Sequence, residues 1–480
     1  MLSNTKILAN RVILLLCSLL GACVLIVPQT PALVAVLILS IALILWISET
    51  LPAAVVGLLI PFLASGSGLL SSAEAFGNFG SSIIILIICV MILTRVLVTS
   101  GLAERIALTL LASPLTGTTL RSLCTGILIA CWLTAWWISN TAACALFVPI
   151  VLGLLTKLDP MLKAHHYASR VRYRLLLTCA FVPSLGGMVT PVGSLPNLVS
   201  MTALSQHGVS LSFLDWMGYS LPASVIFIVA LILIFEFRYP IPNISLKDLK
   251  QEMIKERLAL PPLSAEQRGA AASFLFTITL WILPTIASRF GENGIAASLA
   301  TLSVHSAAII GVGLLFSLAS MQCQSSSTHW KSASQFDWGI VLLFGGGLCL
   351  GEVVTTAKLP EIAFSYLGFS SNHTSDVLSP AIALASIPLT IILSEICSNT
   401  VAAAVLVPAI LGIAPGNVIL PVIIALAAGF GFMMPISTPP NALVYSTGKL
   451  PLRQMILTGL LLDILGVIFL FGYYWILQSL

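Results

Sequence analysis

Charge is scarce in this 480-residue sequence: Asp, Glu, Lys and Arg together make up 8%, against about a quarter in ordinary soluble domains. That shortage excludes a soluble globular protein. The 21 basic residues exceed the 17 acidic ones by 4 and form no stripe with interleaved aromatics, which excludes a nucleic-acid partner. No Cys-x-x-Cys occurs among the 10 cysteines, which stand singly, mostly inside apolar runs (Cys89, Cys131, Cys144, Cys349). That spacing argues against a disulfide framework and against a zinc site.

What is abundant is apolar. Hydrophobic residues make up 58% of the chain, and the mean hydropathy is +1.07. A spanning helix takes about 20 apolar residues, and membrane strands would alternate polar with apolar, which these runs do not. Runs at 11–27, 33–48, 52–64, 81–99, 172–205, 218–237, 269–288, 294–319, 338–356, 418–446 and 455–477 predict an all-α polytopic membrane protein with about eleven transmembrane helices. The first run follows Lys6, and Leu20-Gly21-Ala22-Cys23 approaches a lipoprotein signal. It continues apolar past Cys23 and reads as the first span.

Two further apolar regions, 118–156 and 377–414, carry a polar Ser-Asn-Thr at their centres. Each reads as a re-entrant hairpin, which is stable only where the broken backbone is buried in protein or lines a wet cavity. Alternating eleven crossings from a cytoplasmic amino terminus puts all of the 21 basic residues except Arg289 and Lys358 on the cytoplasmic side. The expected location is the cell (inner) membrane, with the amino terminus inside and the carboxyl terminus outside. The predicted organisation is a first span (1–31), a first repeat (32–238), a cytoplasmic amphipathic linker (239–268) and a second repeat (269–480). The linker's charge run reads as a solvated connector.

The repeat is visible in the residues. Ile138-Ser139-Asn140-Thr141-Ala142 returns as Cys397-Ser398-Asn399-Thr400-Val401, and each copy is followed by Val-Pro (Val148-Pro149, Val407-Pro408). Gly193-Ser194-Leu195-Pro196-Asn197 then interrupts the run 172–205, as Ser437-Thr438-Pro439-Pro440-Asn441 interrupts 418–446. Each half holds five crossings and one hairpin, and an odd number inverts the second half relative to the first. Inverted repeats with broken helices are characteristic of secondary transporters. A break leaves N–H groups unpaired where a half-helix begins and carbonyls unpaired where one ends; the first suit anions and the second cations. Asn140 and Asn399 can serve either, and no Lys or Arg stands in the four motifs.

Other features have plainer readings. Gly345-Gly346-Gly347 lacks the Lys-Ser/Thr of a phosphate loop and reads as close helix packing. His165-His166 reads as solvated loop. Acidic residues in or near spans, here Glu49, Glu395 and Asp463, are functional candidates, with Glu395 one turn before Asn399 and supporting that tip. No converging acid, base or metal ligands point to an enzyme.

With its paired Ser-Asn-Thr tips and paired Pro-Asn breaks, the sequence resembles the divalent anion:sodium symporter family along essentially its whole length. Trp46-Ile47-Ser48-Glu49-Thr50-Leu51-Pro52 and Leu343-Phe344-Gly345-Gly346-Gly347 also look like family segments. The resemblance implies homodimers in membrane lipid, a scaffold plus a mobile transport domain, elevator-type alternating access, and a dicarboxylate, tricarboxylate or sulfate carried with two or more sodium ions. It implies substrate contacts at Ser139, Asn140, Thr141, Ser194, Ser398, Asn399, Thr400, Thr438 and Pro439. It places one sodium at Ser139, Asn140 and the Gly193 carbonyl, and another at Ser394, Cys397, Asn399 and the Ser437 carbonyl. Two positions depart from the family pattern: Ala135 replaces a hydroxyl that Ser394 keeps in the second half, and Leu195 replaces a proline. The first departure keeps a sodium-independent anion exchanger open. A proton-coupled exporter of the wider ion-transporter superfamily is the alternative outside the family.

Overall fold

A computed structural model of the chain describes residues 2–26, 30–48, 50–163, 167–206, 208–287, 302–321, 329–359, 362, 375–413 and 417–479. Glu49, His165, His166 and Arg289 lie outside them. Among the described residues the architecture is all-α, with a single β-bridge between Thr119 and Ser245. The first half comprises α1 (Leu2–Ile26), α2 (Pro31–Ser48), α3 (Ala53–Gly66), α4 (Ser72–Gly77), α5 (Ser82–Thr99) and α6 (Leu102–Ala112). It continues through α7 (Leu120–Ala135), α8 (Asn140–Lys163), α9 (Ala168–Gly187), α10 (Leu195–Gln206) and α11 (Phe213–Arg238). The connector holds α12 (Lys247–Leu258). The second half comprises α13 (Ala265–Ala287), α14 (Val304–Met321), α15 (Trp330–Ala333), α16 (Trp338–Thr356), α17 (Ser375–Ile396), α18 (Asn399–Ile413), α19 (Ile419–Ala428), α20 (Pro439–Ser446) and α21 (Leu452–Gln478).

Among the described residues, six helical stretches are long and apolar enough to cross a membrane alone, and eight shorter apolar helices accompany them. One of the six is Asn140–Leu158, expected as a mere hairpin arm. The whole of α8 runs on to Lys163, so the first hairpin is marked by its polar tip and not by a short arm. The interrupted runs are interrupted as the Pro-Asn motifs require: α9 stops at Gly187 and α10 starts at Leu195, while α19 stops at Ala428 and α20 starts at Pro439.

Small residues set the closest approach. On α3 a Cβ at Gly57 would fall 2.4 Å from the Leu342 carbonyl oxygen of α16, and one at Gly346 would fall 2.2 Å from that of Gly57. The triple glycine is therefore a packing stripe. The two halves of the chain interlock: α10 packs on α18 and α19, and α20 packs on α8 and α9. Ser200 Oγ donates to the Pro421 carbonyl at 3.0 Å across that seam.

The charges of the connector are mostly solvated, as expected, but one face of it is docked. Its approach strand bonds back to the start of α7 through Leu120 N to Ile244 O (2.8 Å) and Leu246 N to Thr118 O (2.7 Å). Glu252 and Glu256 both pair with Lys157 of α8, at 2.9 and 3.1 Å. Lys250 is buried, and burial pulls its ammonium below the ordinary lysine value. Its Nζ donates to the Leu111 and Ser113 carbonyls (3.1 and 2.6 Å) and to Thr116 Oγ1, at the negative end of α6. Charge pattern alone missed this because the acceptors are backbone carbonyls. Lys250→Met should remove its three donated bonds to this helix end and lower stability by about 1–3 kcal/mol, read as the thermal midpoint of the purified protein.

Candidate functional site

Each hairpin tip begins its second arm at the asparagine. Ser139 Oγ accepts from Ala142 N and Ser398 Oγ from Val401 N, both at 3.3 Å, so each tip serine caps the helix that follows. At the second break Thr438 Oγ1 caps α20 by accepting from Asn441 N at 3.2 Å, with Pro439 and Pro440 in the first turn.

The closing asparagines of the two breaks are equivalent bond for bond. Asn197 Nδ2 donates to the Gly187 and Thr190 carbonyls at 2.9 and 2.7 Å; Asn441 Nδ2 donates to those of Gly431 and Met434 at 2.8 and 3.0 Å. In both cases the acceptors lie ten and seven residues upstream. These two residues shape the breaks from behind.

The tips and breaks of both halves meet around one cavity of about 780 Å³. Ser139, Asn140, Thr141, Ser194, Ser398, Asn399, Thr400, Thr438 and Pro439 all line it, as do Gly193 and Ser437. Ser394 and Cys397 do not; both are buried just behind the second tip. The starts of α8, α10, α18 and α20 (Asn140, Leu195, Asn399, Pro439) therefore face one space, a setting for an anion.

The opposite wall comes from elsewhere. One face of α5, with Ile87, Val90, Met91, Thr94, Arg95 and Val98, closes the cavity together with Gln335, Phe336, Asp337 and the start of α16. Arg95 and Asp337 were not singled out in the sequence. Asp337 Oδ1 caps α16 by accepting from Gly339 N at 2.8 Å. Arg95 Nε is buried with no acceptor among the described residues.

Oxygen crowds oxygen behind both tips. With its amide nitrogen toward the first break, Asn140 donates to the Gly193 and Pro183 carbonyls at 3.3 and 3.0 Å. With the amide turned over, its oxygen faces the same two carbonyls, an arrangement that a cation between them stabilises. Behind the second tip, Ser394 Oγ reaches both Asn399 Oδ1 (2.8 Å) and the Ala428 carbonyl (2.9 Å). One hydroxyl proton satisfies only one of them. Ala135 puts no such hydroxyl in the first half.

Glu395 works differently from the support of the tip expected of it. Its carboxylate accepts from Met433 N (2.7 Å), Met434 N (3.1 Å) and Ser437 Oγ (2.5 Å), and so braces the second break. The motifs of the two halves thus line one cavity, and comparison with known proteins supplies the kind of protein. The sequence model of the citrate transporter family matches residues 43–429. A transporter of Haemophilus influenzae is 30% identical over 440 residues, 90% of this chain and 88% of its own. The sodium-dependent dicarboxylate transporter SdcS of Staphylococcus aureus is 27% identical over 444 residues (89% and 83%), and that of Staphylococcus saprophyticus 26% over 441 (88% and 82%).

The chain belongs to the divalent anion:sodium symporter family. As a member of that family it is a multi-pass membrane protein of transporter kind.

Proposed function

We propose that the protein is a secondary active transporter that carries di- or tricarboxylates, or sulfate, across the cell membrane by sodium symport. The observation that carries this reading is the convergence of four helix starts and two asparagine tips on one cavity, with oxygen clusters suited to cations directly behind it. The anion would sit against the two Ser-Asn-Thr tips, Ser194, Thr438 and Pro439. One sodium would lie at Ser139, Asn140 and Gly193, and another at Ser394, Cys397, Asn399 and Ser437. The sodium dependence named for SdcS supports the coupling.

The two walls differ in kind, motifs on one side and α5 with α16 on the other, which supports an elevator in which the motif-bearing body slides past a fixed scaffold. A homodimer in lipid, with the amino terminus cytoplasmic and the carboxyl terminus outside, completes the proposal. Import of a dianion against an inside-negative potential costs about 2.3 kcal/mol per charge per 100 mV. Two sodium ions cancel that cost and still bring their concentration gradient; a third adds voltage drive.

The test of substrate class is counterflow in proteoliposomes with labelled succinate, citrate and sulfate. Exchange of at least one of them, blocked by unlabelled carboxylate, is expected; exchange of none would overturn the reading. Ala135 favours one second reading, a sodium-independent exchanger. Under symport, Ala135→Ser should lower the sodium concentration needed for half-maximal uptake, whereas an exchanger would not respond. Arg95 supplies the positive charge on the scaffold wall, so Arg95→Gln should raise the KM for the anion about tenfold, on the scale of a lost charge-assisted hydrogen bond.

A further inference from the structure

The chain passes from one wall of the cavity to the other by a short route. α5 closes the cavity opposite the motifs, α7 opens the first hairpin, and α6 with the turn 113–119 joins them. That turn holds Pro114 and Gly117, the latter at φ +52° in the left-handed region. The connector grips the chain on both sides of the turn. On the hairpin side its approach strand makes two backbone bonds, Leu120 N to Ile244 O and Leu246 N to Thr118 O, and Glu252 and Glu256 pair with Lys157 of α8. On the α6 side the hydrogen bonds come from one side chain. Lys250 Nζ donates to the Leu111 and Ser113 carbonyls at the end of α6, and to Thr116 Oγ1 in the turn.

We propose that α12 is a latch on the transport cycle with Lys250 as its catch: α12 rides with the first hairpin, and Lys250 leaves the end of α6 each time the motif-bearing body moves past α5. The inference rests on the elevator reading above, in which the chain has to bend between α5 and the hairpin. A splint across that bend permits no displacement while both of its ends hold. The two ends differ in how they open. Releasing the hairpin side breaks backbone pairing, whereas releasing the α6 side only swings a flexible four-carbon stem and exchanges its acceptors for water. The acceptors are two carbonyls and a hydroxyl, so release leaves no buried anion behind. Lys250 does not line the cavity. It is therefore a positioning residue, one that acts on turnover and not on affinity.

The experiment has two arms, both on the full-length protein in liposomes. In the first, spin labels are placed at Glu104 of α6 and Lys255 of α12, both exposed. The latch gives two label-to-label distances, and Lys250→Met should shift the population to the longer one. A single narrow distance, with and without sodium and succinate, would overturn the proposal.

In the second arm Ser113→Cys with Lys250→Cys is bridged by a short bifunctional thiosulfonate, and single-cysteine variants given the same reagent control for the native thiols. Bridging should lower sodium-driven succinate uptake about tenfold or more, because a conformational step is blocked, and reduction should restore it. The unbridged protein should keep the wild-type half-saturating succinate concentration while its maximal rate changes. Lys157→Cys with Glu252→Cys, bridged in the same way within the riding unit, should transport normally. Equal uptake before and after bridging at 113 and 250 would overturn the proposal. Absence of succinate, citrate and sulfate uptake by the wild type would count against the proposed function instead, and the spin-label distances would still decide the latch.

Discussion

Alanine at Asn140 or at Asn399 is expected to reduce uptake by roughly a hundredfold or more while the protein stays folded, because each amide lines the cavity and also meets the oxygens proposed to hold sodium. Asn399 accepts from Ser394 Oγ at 2.8 Å and donates to the Gly429 carbonyl at 3.3 Å. Asn140 stands against the Gly193 and Pro183 carbonyls. Losing an amide that serves two ligands costs about 1–3 kcal/mol at each, and the sum corresponds to that factor. The two variants should fall together, since the residues occupy matching places in the two halves. Uptake with detergent-purified protein in liposomes checks the transport, and the thermal midpoint checks the fold. A residue that merely glued helices would show the opposite order, with stability failing first.

The second large effect falls on a glycine. A Cβ at Gly187 would stand 2.1 Å from Asn140 Oδ1 and 2.9 Å from the Gly193 carbonyl oxygen, so Gly187→Ala must displace the first tip or the first break. Overpacking of this kind costs about 1–3 kcal/mol, and here it is spent on the proposed sodium ligands themselves. Uptake should fall nearly to background at any sodium concentration tested. At Gly431, the matching place in the second half, the nearest atom is Asn399 Oδ1 at 3.0 Å, so Gly431→Ala should be milder and partly rescued by high sodium. Gly153 on α8 has nothing within 4 Å of its missing Cβ, and Gly153→Ala is the control that should transport normally.

The tips and breaks were legible in the sequence because polar residues inside long apolar runs have few reasons to be there, and because they occur twice. The all-α membrane fold was legible from composition for the same physical reason: lipid requires every backbone group to be paired within helices. What stayed hidden depends on tertiary contact. Arg95 counts as one more cytoplasmic-side basic residue until α5 is folded against the tips, where its helical face is seen to close the cavity. Lys250 looks solvated until the carbonyls at the end of α6 are brought to it. Glu395 is near Asn399 in sequence, yet its partners are the break residues Met433, Met434 and Ser437, 38 to 42 positions on. No spacing rule announces such a contact. The glycines 187 and 431 were equally silent, since what they provide is room.

The central claim is that one cavity, built by both repeats, takes up an anion together with sodium. It is tested most directly by loading proteoliposomes of the purified protein with potassium buffer and following labelled dicarboxylate under an inward sodium gradient, against the same gradient of choline. The account predicts accumulation above the external concentration in sodium and none in choline. Equal uptake in both buffers, with entry requiring dicarboxylate inside the vesicles, would contradict it.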